Sequence, residues 1–141
     1  MVRAAFYLFS ITAMLMSSVI QAEEKNDKQL QGSWKVVVAE AADKGVIVGD
    51  VLTFADDNRL NFEKVRDQVV KKESATFSVD PTKMPKAFDL HPDKKPVLGI
   101  YELSGDRLKM CFSRPGKPRP TKFDSPGVDS IFLLLELERQ K

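Results

Sequence analysis

Gly32-Ser33-Trp34-Lys35-Val36-Val37-Val38-Ala39 is the stretch on which the reading of the fold turns. Trp34, Val36 and Val38 fall on one side of it, with Lys35 and Val37 on the other. That period of two marks a strand, since a helix repeats every 3.6 residues. The same period recurs downstream. Leu52 and Phe54 alternate with Val51 and Thr53, and Leu60 and Phe62 alternate with the polar residues of Asn58 to Glu63. Phe77 and Val79, Phe88 and Leu90, Leu98 and Ile100, and Leu108, Met110 and Phe112 continue it. The last run, Ile131 to Glu138, is apolar on both faces at its start and one-sided by its end. Eight strands are predicted, at about 32–40, 50–55, 58–65, 69–80, 86–91, 97–103, 107–113 and 130–138.

The connections fit strands as well. Asp56-Asp57-Asn58 and Ser104-Gly105-Asp106 are short and tolerate the left-handed conformations of tight hairpins. Asp80-Pro81-Thr82-Lys83-Met84-Pro85 cannot continue a central strand, because its two prolines lack the ladder donor. There, Asp80 and Thr82, with Lys83 and Lys86 beside them, are expected to fix a corner by side-chain-to-backbone bonds. Eight antiparallel strands joined mostly by hairpins predict an all-β, up-and-down barrel, which removes its own edges by closing. A two-sheet sandwich is the competing layout, and periodicity does not separate the two.

Working back from Trp34, the chain changes character at Ala22. Within residues 1–22 Arg3 is the only charge, and an apolar stretch runs from Ala4 to Met16 before Glu23-Glu24-Lys25 begins. A basic start, an apolar middle and a small residue before a polar boundary form the pattern of a secretory signal peptide. Cleavage after Ala22 is expected, giving an exported protein, periplasmic or secreted, with no stable membrane insertion once the segment is gone. A retained anchor is the alternative, since Ile20 is bulky for its place before the cut and the apolar stretch approaches a bilayer's span. Residues 23–29 read as a mobile polar leader and 30–141 as one domain.

Leu30-Gln31-Gly32-Ser33-Trp34-Lys35 resembles the Gly-x-Trp signature of lipocalins and related calycin barrels. The resemblance implies that Trp34 closes one barrel end and that an Arg near the end of the last strand packs across its ring. Counting back from Arg139 in steps of two gives Leu137, Leu135, Leu133 and Ile131, so Arg139 lies on that apolar face. A guanidinium over an indole gains cation–π attraction while its stem covers the ring. A wider likeness runs from about Gln29 to Glu138, through Leu52-Thr53-Phe54, Asp80 to Leu90, Leu98 to Phe112 and Arg119-Pro120-Thr121-Lys122-Phe123. These blocks, in this order, resemble a family of uncharacterised small exported domains abundant in planctomycete bacteria. What that likeness implies is a lipocalin-like barrel in a bacterial envelope; it brings no established activity or ligand. Asp93-Lys94-Lys95-Pro96 is shorter than the insertion expected there.

Composition excludes more chemistry than it supports. Lys and Arg total 22 against 20 Asp and Glu, so a net charge of +2 leaves no electrostatic footprint for nucleic acid. One Cys and one His cannot build a zinc site or an internal disulfide. A P-loop, a dinucleotide-binding glycine fingerprint and a Gly-x-Ser-x-Gly elbow are absent from the sequence. Asp89-x-His91-x-Asp93 reads as a solvated hairpin end, Cys111 as a small core residue, and no catalytic residue, metal or cofactor is expected. Two functions stay open. In the first, Val36, Phe54, Phe62, Phe77, Ile100 and Met110 line a lumen for one small apolar or anionic amphipathic ligand. In that reading Phe123 forms a lid over the mouth, while Arg114 and Arg119 of the proline-rich stretch 114–122 face the acidic head. In the second, side chains fill the barrel, and its loops and outer face bind an envelope protein. N-terminal sequencing of the native protein is predicted to begin at Glu23; intact Met1 in a membrane fraction would mean an anchored protein.

Overall fold

The computed structural model describes residues 27–41, 45–91, 95–124 and 131–141; the expected signal segment and residues 23–26 lie outside them. The strands are β1 (Gly32–Ala41), β2 (Val51–Phe54), β3 (Arg59–Arg66), β4 (Val69–Asp80), β5 (Lys86–His91), β6 (Val97–Ser104), β7 (Arg107–Ser113) and β8 (Ile131–Arg139). Each pairs antiparallel with its neighbour in sequence, and β1 pairs with β8, so the sheet closes as an up-and-down barrel and the sandwich is ruled out. Asn58 and Gly105 take positive φ at two of the expected hairpin turns, and Asp67 and Gln68 do so at a third.

Closure depends on what the ends of β1 and β8 do for each other. Trp34 is fully buried and lies opposite Arg139 in the β1–β8 register. The Arg139 guanidinium sits 4.2 Å from the indole centroid, as the Gly-x-Trp reading requires. Its Nη1 donates to the Gln31 carbonyl at 2.8 Å and its Nη2 to the Gln29 carbonyl at 2.7 Å. The indole Nε1 donates to the Leu30 carbonyl at 2.9 Å, so the ring and the cation together hold the short 3-10 turn Lys28–Leu30 against the barrel end. Gly32 is required here twice over. Its φ is +117°, and a Cβ would stand 3.1 Å from Arg139 Nη1.

The leader is accordingly anchored from Asp27 onward, where a mobile segment was expected. The Asp27 carboxylate caps the 3-10 turn by accepting from the Gln29 N–H. It also accepts from the Tyr101 hydroxyl at 2.9 Å and pairs with Lys86 at 3.6 Å. Burial, and then Asp27 itself, push the Tyr101 hydroxyl well above its ordinary pKa, which keeps it a donor.

Two expected facings are corrected. Val38 points out to solvent, because a bulge between Val36 and Val38 inserts one residue into β1 and turns Ala39 and Ala41 inward instead. At the bulge the Val36 N–H and C=O turn to the β1–β2 loop, bonding the Asp50 carbonyl at 2.8 Å and the Gly49 N–H at 2.9 Å. Ile100 also faces outward, as argued below, and Val97 and Tyr101 take the inward places on β6.

Gly32→Ala is expected to cost about 1–3 kcal/mol through backbone strain, seen as a lower urea midpoint at unchanged m. Arg139→Ala is expected to lose about 1–2 kcal/mol and to shift the emission of Trp34, the chain's single indole. Unaltered emission would contradict the stacking.

Candidate functional site

The barrel interior is the first place to look for a binding site, and it is occupied by its own side chains. Val36, Phe54, Phe77 and Met110, expected to line a lumen, are buried against one another in the main core. Phe88 stands at the centre. Its ring stacks on Phe77 with centroids 5.2 Å apart and meets Phe54, Tyr101 and Phe112 edge-on at 5.9, 6.3 and 5.6 Å. Stacked and edge-on pairs at these separations are the favourable aromatic geometries. Gly99 makes room for the cluster: a Cβ there would come within 2.6 Å of the Phe112 ring. An eight-stranded barrel is just wide enough for side chains to fill, and here five aromatic rings do so.

Phe62 is the exception among the expected lumen residues. It is half-buried at the end opposite Trp34, on the wall of an open depression of about 320 Å³ with Val46, Leu90, Phe132 and Leu133 as its apolar floor. Val46, brought over the opening by the β1–β2 loop, is itself part of the core. The rim carries an ion pair, Lys64 to Glu73 at 3.2 Å.

The expected lid lies elsewhere. Ile100, Cys111 and Leu134 are cross-strand neighbours on the outer face of β6, β7 and β8, forming a second small core with Ile131. Phe123 packs on that outer cluster, with Lys109 Nζ 5.4 Å from its ring centroid. The loop after β7 therefore folds down the outer wall, and Phe123 anchors it there and does not cover the mouth. Burial raises the pKa of the Cys111 thiol beneath it, which leaves an inert, protonated group.

Arg119 is committed to the same task. It pairs with Asp89 at 2.5 Å and donates to the Gly99 carbonyl at 2.8 Å, pinning the loop across β5 and β6. It is not poised for the head group of a ligand. Arg114 is exposed at the start of the loop. In Asp89-x-His91-x-Asp93, read from the sequence as a solvated hairpin end, Asp89 is held by Arg119 and His91 Nε2 shares a hydrogen bond of 3.0 Å with Ser78; Asp93 lies outside the described residues.

A different surface draws the eye at the open end. The β3–β4 hairpin runs past its neighbours, since β2 reaches only to Glu63 and β5 only to Thr76 in the pairing. At its tip Val65, Val69 and Val70 are 49%, 57% and 50% exposed, and Val48 of the β1–β2 loop is 58% exposed. Arg66 ties the loop to the hairpin. Its guanidinium bonds both oxygens of buried Asp50, at 2.7 and 2.9 Å, while the Ile47 N–H donates to the same carboxylate. Burial acts to raise the Asp50 carboxyl, but the bonds to Arg66 and Ile47 outweigh it and hold the pKa below its ordinary value. None of this was read from the sequence; the signal available was the unbalanced Val69-Val70, apolar residues in a stretch with no inward phase.

No protein-family model matches the chain, and neither does a curated protein or a solved structure. The class of protein is therefore set by its own architecture: a closed eight-stranded antiparallel barrel of lipocalin-like layout.

Because the Asp50 pKa is depressed on folding, its stabilisation is present above about pH 4 and lost as pH falls through the folded value. Asp50→Ala is expected to cost about 1–3 kcal/mol at pH 7 and to flatten the acid limb of a urea-stability profile. A deficit of the variant that stays the same from pH 7 to well below pH 4 would contradict this.

Proposed function

We propose that this protein is an exported interaction module: a side-chain-filled barrel that presents its open rim to a macromolecular partner of the cell envelope. The single observation that carries the reading is the aromatic cluster around Phe88, which occupies the space a lipocalin-like barrel would give to a ligand. Support also comes from the rim. Val65 and Val70 face each other across the β3–β4 tip, and they, Val69 and Val48 of the β1–β2 loop are exposed aliphatic side chains at one end of the molecule, where Asp50 and Arg66 tie the loop to the hairpin. Exposed apolar patches rimmed by polar groups are characteristic of contact surfaces. The outer wall carries Lys35, Glu102, Lys109 and Glu136, the reverse of a membrane-spanning barrel's apolar exterior.

The test places a photo-crosslinking amino acid at Val48, or at Gln140 as a control, in the source cells. A discrete protein adduct from position 48 and none from 140 is expected. Stoichiometric fatty acid retained by the native protein in mass spectrometry, with no adduct from the rim, would return the ligand-binding reading.

A further inference from the structure

The hairpin tip offers more than apolar side chains, because where β4 outruns β5 the closed barrel leaves a length of strand edge unpaired among the described residues. β4 spans Val69–Asp80, yet its pairing with β5 covers only Thr76 to Asp80. Residues 69–75 thus have no strand partner on that side among the described residues. On the other side they pair with β3, from Val69 opposite Arg66 to Ala75 opposite Leu60. The opposing hairpin edge, along Lys64 to Arg66, is attended by the β1–β2 loop through the bonds of Arg66 to Asp50 and to the Gly45 carbonyl. Among the described residues the β4 edge has no such cover.

Which backbone groups it offers follows from the ladder. The Phe77 N–H bonds the Asn58 carbonyl, so odd-numbered residues of β4 turn their N–H and C=O toward β3. By alternation Val70, Lys72 and Ser74 turn theirs outward. Three evenly spaced donor–acceptor pairs on an exposed strand are what an added strand binds.

The side chains beside them choose the occupant. Val69 and Val70 are followed by Lys71 and Lys72, both exposed. Lys71 lies opposite Lys64, whose charge is already paired with Glu73. Lys72 lies opposite Glu63 on β3, and on its other side no acid pairs with it in the sheet among the described residues. A cross-strand neighbour opposite two lysines is favoured if acidic, and one opposite two valines if apolar. The same lysines discourage pairing with a second copy of this chain, which would set lysines against each other. Asp67, at the very turn, disfavours burial of the tip in a lipid surface.

We infer that the β4 edge at Val70, Lys72 and Ser74 captures an extended peptide segment by strand addition, selecting antiparallel sequences of the order acid, acid, apolar, apolar. This rests on the interaction-module reading and names the partner's chemistry.

The experiment uses the full chain and a fluorescein-labelled peptide with the core Glu-Glu-Val-Val, with a Lys-Lys-Val-Val peptide as control. Saturable anisotropy is expected with the acidic peptide alone. Val70→Pro removes one outward N–H without touching the β3 ladder, because proline is accepted where the missing donor faces solvent. It is expected to abolish binding while Trp34 emission stays as in wild type. Lys71→Glu/Lys72→Glu is expected to weaken binding by about tenfold or more, as lost charge pairs and new repulsion require. Wild-type amide exchange gives a reading independent of any variant's folding: the Val70, Lys72 and Ser74 amides slow on adding peptide, and those of Lys71 and Glu73 stay unchanged. Absence of saturable binding, binding undiminished by Val70→Pro, or binding to phosphatidylglycerol vesicles in place of peptide overturns the inference. An adduct from position 48 with no peptide protection at Val70 would leave the interaction reading standing and remove strand addition alone.

Discussion

Arg139 lying across the Trp34 ring joins the first strand of the sheet to the last, and the rest of the molecule depends on that closure. A sheet of eight hairpin-linked strands has two edges, and both are hazards unless they meet. The pair fixes the β1–β8 register at its end, and the bonds from Arg139 to the Gln29 and Gln31 carbonyls fold the incoming chain over the base. Gly32 stands where it does because no other residue leaves room for the guanidinium at that φ. One end of the barrel is thereby sealed by Trp34, Leu30 and the Asp27–Tyr101 bond.

The closed interior distinguishes a filled barrel from a hollow one. In a wide barrel the inward faces leave a cavity; here Phe54, Phe77, Phe88, Tyr101 and Phe112 meet across the axis. Gly99 is the complement of that filling, a residue whose missing side chain admits the Phe112 ring. Rigid packing of this kind makes a stable platform and leaves variability to loops, which is the usual division of labour between a scaffold and its binding surface.

The strands themselves were legible in the sequence, because a strand with one wet face and one dry face writes its period directly into the residues. Trp34 with Arg139 was legible for the same reason, each lying in inward phase at the end of an alternating run. What failed was phase wherever both faces are dry. Val97-Leu98-Gly99-Ile100-Tyr101 has apolar residues throughout, since the loop carrying Phe123 covers its outer side, and alternation cannot then say whether Ile100 or Tyr101 points in. The bulge at Val36 and Val38 was hidden similarly, within three consecutive valines that mask a one-residue shift. Arg119 and Phe123 were misplaced because their partners, Asp89 and Ile100, are distant in sequence. A cation's destination in a folded chain is set by such contacts. The rim patch escaped notice because Arg66 and Asp50 meet only through the fold.

A filled interior makes a physical claim that one measurement can address directly. Apolar cavities large enough for a ligand stay dry and take up xenon, whereas close-packed cores do not. Diffraction from crystals of the protein pressurised with xenon should show no site on the barrel axis among Phe54, Phe77, Phe88 and Phe112. An ordered xenon atom enclosed by those rings would contradict the account and restore a ligand-binding lumen.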